Sequence, residues 1–174
     1  FDRVEQFGEI LTQKGDVEFE HLELKDMDIA PCRGCFLCFY KGEDVCPLDD
    51  DRKIIEEKME KADAVVFATP VYSMHVSYLL KTLIDRMAYI FHRPRFFQKY
   101  AAGIAVAGSI GQKPTLKYIE EVAESWGFDY IGGVPHTDPP GIMNIPGTGA
   151  GKGADENTVK SAEKMYSNLK QNTE

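Results

Sequence analysis

The sequence predicts an α/β fold: a doubly wound parallel sheet with helices on both faces. Two observations carry this. Three short apolar runs, at 64–68, 101–107 and 130–134, are continuous rather than alternating, as strands covered on both faces are. Stretches of helical spacing follow them in turn, and strands that alternate with helices build parallel sheets. With 174 residues, 43% of them hydrophobic, and no internal repeat, the chain is expected to be a single domain, 1–174, with its own core.

The elements follow in order. A helix is expected over 1–11, with Val4, Phe7 and Leu11 on one stripe, ended by Gly15. The Glu-rich run 17–24 reads as a strand near a sheet edge. A cysteine loop occupies 31–47. Asp49, Asp50 and Asp51 suit the positive end of a helix whose buried side is Ile54, Ile55 and Met59. The strand at 64–68 stops at Thr69-Pro70. Val76, Leu79, Leu80, Leu83, Ile84, Met87, Ile90 and Phe91 keep helical spacing for four turns, the clearest helix of the chain.

After the strand at 101–107 comes a Gly108-Ser109-Ile110-Gly111 turn. Pro114 suits the first turn of a helix carrying Leu116, Ile119, Val122, Ala123 and Trp126. The strand at 130–134 leads into an irregular Gly- and Pro-rich loop, 137–153. A last helix, 157–169, turns Val159, Ala162, Met165, Tyr166 and Leu169 inward. A sheet of this kind normally starts with its central strand, whereas this chain starts with a helix. A hole in the middle of a sheet would be intolerable to packing. The expectation is therefore a strand and its loop ahead of Phe1, with a different four-stranded topology as the alternative.

The formal charge of −8 and the lack of any Lys/Arg cluster argue against a nucleic-acid partner. No apolar run approaches the roughly 20 residues of a membrane helix. Nor is there a secretory signal pattern, so a reducing, cytoplasmic setting is expected. In such a setting clustered thiols mean metal or redox chemistry more often than disulfides.

All four cysteines fall within fifteen residues: Cys32, Cys35, Cys38 and Cys46, spaced C-x2-C-x2-C-x7-C and followed by Pro47. Two successive C-x2-C steps bring three thiolates to one small inorganic core, and a fourth joins from a loop, as in a cubane iron–sulfur cluster. Structural zinc usually takes two separated C-x2-C pairs, which makes it the weaker metal. Free thiols are the third reading. Gly34 and Gly42 would let backbone N–H groups approach the sulfurs.

The run Pro31-Cys-Arg-Gly-Cys-Phe-Leu-Cys38, with Cys46 and the Asp triplet, resembles the iron–sulfur flavoproteins, a branch of the NADPH-dependent FMN reductase superfamily. Ala62-Asp63, Thr69-Pro70-Val71-Tyr72 and Leu80-Lys81-Thr82-Leu83-Ile84-Asp85-Arg86 extend the resemblance, which runs to about Val134. It implies a flavodoxin-like sheet of order 2-1-3-4-5 with FMN at the carboxyl ends of the strands. It also implies a 4Fe-4S cluster on Cys32, Cys35, Cys38 and Cys46, and a homodimer or homotetramer in which one subunit's cluster lies near another's flavin. The Ser-Pro-Arg type loop that takes the FMN phosphate in such proteins has no counterpart here, so no phosphate-binding residue is carried over.

By that resemblance, Pro70, Val71, Tyr72, Ser73 and Met74 run beside the flavin ring, with Ser73 and Ser77 alternatively serving as helix caps. Gly108, Ser109 and Gly111 would form the second wall, or else a plain turn. His21, His75, His92 and His136 have no metal spacing and read as packing or surface groups, with His75 adjoining the flavin loop. Asp85 and Arg86 read as a solvated helix face or an interface. The expected activity is electron transfer from a ferredoxin-like one-electron donor through cluster and FMN. The alternatives are an NAD(P)H-dependent FMN or quinone reductase without a cluster, and a non-catalytic zinc protein.

Overall fold

The computed structural model describes residues 2–137 and 156–171. Helix α1 (Asp2–Lys14) opens the chain. After a 3-10 turn at Leu24–Asp26, the cysteine loop holds the one-turn helix α2 (Leu37–Tyr40) and a second 3-10 turn, Glu43–Val45. Helix α3 (Arg52–Lys61) leads into strand β1 (Ala64–Tyr72). The two-residue strand β2 (His75–Val76) folds back on β1, and helix α4 (Tyr78–Arg86) follows. Strand β3 (Tyr100–Ala107), helix α5 (Gln112–Trp126), strand β4 (Asp129–Thr137) and helix α6 (Glu156–Gln171) complete it.

The sheet order is β2-β1-β3-β4. β1, β3 and β4 are parallel, in register from Ala64 opposite Tyr100 to Ala107 opposite Thr137. All three carboxyl ends therefore meet on one side. β4 carries one extra residue between Ala101 and Gly103 of its neighbour, and Gly132, at φ +125°, takes up the bulge.

Two cores flank the sheet, as a doubly wound fold requires. On one face Phe7 and Leu11 of α1 and Ala162 and Met165 of α6 pack on Ala102, Ile104, Ile131 and Val134. On the other, α3, α4 and α5 close over Phe67 and Ala101, with Trp126 wholly buried among Phe67, Phe91 and Phe96. On β3, Ala101 faces one core while Tyr100, Ala102, Ile104 and Val106 face the other, the period-two signature of a strand.

Several expectations need correcting. The run 17–24 forms no strand. Its side chains still divide as a strand's would: Val17 and Phe19 join one core, Leu22 and Leu24 the other. A ladder needs a neighbour, and none lies beside it among the described residues; from Ala64 to Pro70, β1 pairs only with β3. The expected order 2-1-3-4-5 is thus represented by three parallel strands and one short antiparallel strand.

Thr69-Pro70 does not stop β1. Pro70, which has no N–H to donate, lies opposite Val106 and faces no partner on its other side among the described residues, because β2 reaches only Val71 and Tyr72. The long helix ends at Arg86; Met87 caps it, and a 3-10 turn, Ala88–Phe91, carries the stripe onward. Ile54 is exposed, since it lies about 100° around the helix from its neighbour Ile55, which with Met59 four residues on forms the buried stripe. The loop expected at 137–153 lies outside the described residues, apart from Thr137, which ends β4.

Candidate cofactor site

The cysteine loop leaves the body of the protein at Ala30 and returns at Asp50, and both ends are pinned. The backbone N–H groups of Asp28 and Ala30 donate to the carboxylates of Asp51 (2.7 Å) and Asp50 (3.0 Å). Asp50 also accepts from the first N–H of α3, at Arg52 (3.3 Å). The Asp triplet thus does more than favour a helix start: it staples the loop.

All four cysteines line one cavity of about 200 Å³. None is in a disulfide; Cys32 and Cys35 are exposed, Cys38 and Cys46 half-buried. Burial, then the charges of the other three cysteines, pushes the Cys38 thiol above its ordinary value. Gly34, with φ +62°, donates its N–H to Cys32 Sγ at 3.4 Å, as expected. Gly42, at φ +99°, instead turns the chain into the second 3-10 segment. Among the described residues no three His, Cys, Asp or Glu side chains converge on a single-ion site. The four thiols border a shared space.

Arginines hold this loop from outside. Arg93 donates to the Cys38 carbonyl (2.6 Å) and to Glu43 (2.9 Å). Arg95 bridges Glu43 and Glu56, at 2.6 Å each. Glu56 is buried, accepting also from Arg52 and from the Tyr89 hydroxyl. Burial, and then the hydrogen bond to Glu56, raises the Tyr89 phenol far above its usual range. Burial works against the Glu43 carboxylate, but Arg95 and Arg93 overcome it and hold its pKa below the usual value.

Arg86 does not lie on the solvated face expected of it. Asp85 lies on an exposed helix face and pairs with Lys81 (2.5 Å), as expected. Arg86 is buried: it forms an ion pair with Asp50, donates to the Ala30 carbonyl (2.9 Å), and places Nη2 3.7 Å from Cys46 Sγ. A position one residue past the exposed Asp85, on a helix whose stripe includes Leu83, was the available clue.

At the other end of α4 lie the residues expected beside the flavin. Val71 pairs with Val76 and Tyr72 with His75, so Ser73 and Met74 form a two-residue hairpin turn. Their φ values, +49° and +69°, are those a type I′ turn needs. Ser77 caps α4, its Oγ accepting from the Leu80 N–H (3.4 Å), and its own N–H donates to Thr69 Oγ1 (2.9 Å). Ser73 caps nothing. Tyr72, Met74 and Ile110 are large apolar side chains left 50–66% exposed at the carboxyl ends of β1 and β3.

Gly108 and Ser109 are exposed, while Gly111 is buried against the hairpin. A Cβ there would come within 2.8 Å of Val71 Cγ1, at a φ of +104°. The two walls therefore touch at Gly111. Gln112, unremarked in the sequence, ties this loop to β4 by donating to Thr137 Oγ1 (2.8 Å) and the His136 carbonyl (3.2 Å). His75 makes a ring contact with Tyr118, and His92 makes one with Phe39. No described helix is long and apolar enough to cross a membrane.

Comparison with known proteins agrees with this layout. The sequence model of the family described as NADPH-dependent FMN reductase matches residues 3–128. An iron–sulfur flavoprotein of Archaeoglobus fulgidus is 35% identical over 116 residues, 66% of this chain and 52% of that protein. One from Methanosarcina thermophila is 32% identical, covering 74% of this chain and 67% of its own. One from Methanocaldococcus jannaschii is 33% identical, with 78% and 68% covered. The chain thus spans between half and about two thirds of these relatives' length.

Among solved structures, RosB with a bound flavin-derived intermediate superposes with a TM-score of 0.78 over 99% of this chain and 72% of that one, at 14% identity. A flavodoxin from the domain Archaea gives 0.57 over 99% and 90%, at 10% identity. These likenesses show the fold, which is flavodoxin-like. The four-cysteine loop, the strand-end hairpin and the sequence matches place the chain in one group: it belongs to the NADPH-dependent FMN reductase family, among its iron–sulfur flavoproteins.

Proposed function

We propose that this chain is an FMN-dependent oxidoreductase. In this reading it carries electrons between a one-electron donor of ferredoxin type and an acceptor, through a 4Fe-4S cluster on Cys32, Cys35, Cys38 and Cys46. The observation that carries the cluster reading is the single cavity shared by all four thiols. Bringing four thiolates together is repulsive, and a cationic iron core offsets that cost.

For FMN the fit is to the ring. Tyr72, Met74 and Ile110 offer an apolar platform where open α/β sheets bind ligands. Contact between Gly111 and Val71 closes the base of the crevice, so the ring belongs on the outer side of that contact. Pro70, Val71, Ser73, Gly108 and Ser109 supply backbone around it. FMN when bound supplies both one- and two-electron chemistry; the chain positions it and excludes water from one face.

Ser77 and the Thr69 hydroxyl fix the start of α4, which holds the hairpin at a set height above the sheet. On an acidic chain, the exposed Arg33 and Lys41 within the cysteine loop give local relief for an acidic donor. A homodimer or homotetramer would bring a second subunit's ring toward the cysteine loop.

The test is the visible spectrum of protein purified without oxygen, with iron and sulfide assayed on the same sample. Flavin bands on a broad charge-transfer shoulder, with about four irons per chain, are expected. Flavin bands without iron would leave a reductase that lacks a cluster. Zinc without flavin would overturn the reading.

A further inference from the structure

Among the described residues Arg86 is the one guanidinium that reaches a cysteine sulfur, and it does so from a buried position. Its relative exposure is 4%. Two anchors fix it independently of the sulfur: the carboxylate of Asp50 and the carbonyl of Ala30. Both anchors belong to the stapled ends of the cysteine loop, so the guanidinium is held against Cys46 whether or not anything fills the cavity. A planar fork suits this task, because it can satisfy a carboxylate and a carbonyl and still present an N–H to a third acceptor.

We infer that Arg86 sets the reduction potential of the group bound by Cys32, Cys35, Cys38 and Cys46, acting through Cys46 Sγ, with Asp50 as its opposing charge. The inference rests on the cluster reading above. Reduction by one electron adds a negative charge to the cluster and its four sulfurs. A cation in contact with one sulfur stabilises the reduced form more than the oxidised form, which raises the potential; hydrogen bonds to cluster sulfurs act in the same sense. Asp50 has the opposite charge and lies one step farther from the sulfur, so it moderates the effect while positioning the cation. Arg86 is thus a positioning and tuning residue, with no bond made or broken at its own atoms.

The two partners predict shifts of opposite sign. In Arg86→Gln the cation is lost, and the midpoint potential of the cluster falls. In Asp50→Asn the carboxylate is lost while an amide oxygen still accepts from Arg86, and the potential rises. We expect about a tenfold change in the reduction equilibrium for Arg86→Gln, or 59 mV for a one-electron couple. A smaller change in the other direction is expected for Asp50→Asn.

The experiment is an anaerobic redox titration of wild type and both variants, followed by low-temperature electron paramagnetic resonance, with iron and sulfide counted on each sample. Opposite shifts in iron-replete proteins establish the role. Unchanged potentials, or shifts of one sign in both, overturn it, since a purely structural role would disturb both variants alike. If Arg86→Gln takes up no iron, Asp50→Asn decides: a raised potential supports the inference, and an unchanged or lowered one defeats it. Wild type without iron or sulfide would instead sink the cluster reading itself, and the inference with it.

Discussion

The two ends of α4 are built by different physics. At its amino end the crevice rests on the sheet: Val71 and Tyr72 are in ladder register, and β3 beneath it is buried along nearly its whole length. At its carboxyl end the cysteine loop has no core of its own. Not one residue from 31 to 47 is buried. Charges reaching out from the body hold it instead, through Asp50, Arg86, Arg93, Arg95 and Glu43. Burial is non-directional and cooperative, whereas charge pairs are local and leave a debt when one partner goes. The crevice should therefore fail only with the whole fold, and the loop should fail by itself.

The largest effect should erase that difference. Trp126→Ala removes the centre of the aromatic cluster under α4 and α5, at a cost of about 3–5 kcal/mol. Urea unfolding should shift markedly, and FMN and iron should be lost together. If iron alone were lost, the core would not be common to both regions.

Glu56→Ala should separate them. It strips the buried guanidinium of Arg52 of its carboxylate and takes one of the carboxylate partners of Arg95, costing about 3 kcal/mol. Iron content should drop well before FMN binding, as read by metal assay and flavin fluorescence on the same samples.

The pH dependence should sharpen the contrast. Burial pushes the Asp50 carboxyl up, but hydrogen bonds from Arg86 and from the N–H groups of Ala30 and Arg52 prevail, so its folded pKa is depressed. Stability from this group is therefore full above its unfolded pKa of about 3.9 and is lost as pH falls through the lower folded value. Asp50→Asn should be less stable than wild type at neutral pH, with the gap narrowing in acid. Urea midpoints across that range test this; a gap that widens in acid would contradict it.

Met74→Gly relieves a left-handed, non-glycine backbone and should stabilise the apo protein by about 1 kcal/mol while weakening FMN. Smallest of all, Cys35→Ser at an exposed position should leave thermal stability within about 0.5 kcal/mol, yet abolish iron uptake.

The sequence was most readable where one physical signal dominated. Strands at 64–68, 101–107 and 130–134 stand out because burial on both faces demands unbroken apolar runs, and all three are present, the first and third extended toward their carboxyl ends. The cysteine spacing picked out the four thiols that line one cavity. What escaped was relational. Arg86 looks like any helix-terminal arginine until Asp50, thirty-six residues away in sequence, is seen beside it. Gln112 and Glu56 were silent for the same reason, since their partners come from other elements. The run 17–24 had the composition of a strand, but a strand is a property of a pair.

Helix α4 is nine residues long, about 13 Å from the hairpin at its start to the arginine at its end. It works as a rigid spindle with one candidate site at each tip. Inserting a single residue at its midpoint would turn one tip about 100° relative to the other. The hairpin and all four cysteines would survive in sequence, and Arg86 would point away from Cys46. The two candidate sites are thus tied together by helical phase as much as by distance, a constraint that alignment of the cysteines alone would never reveal.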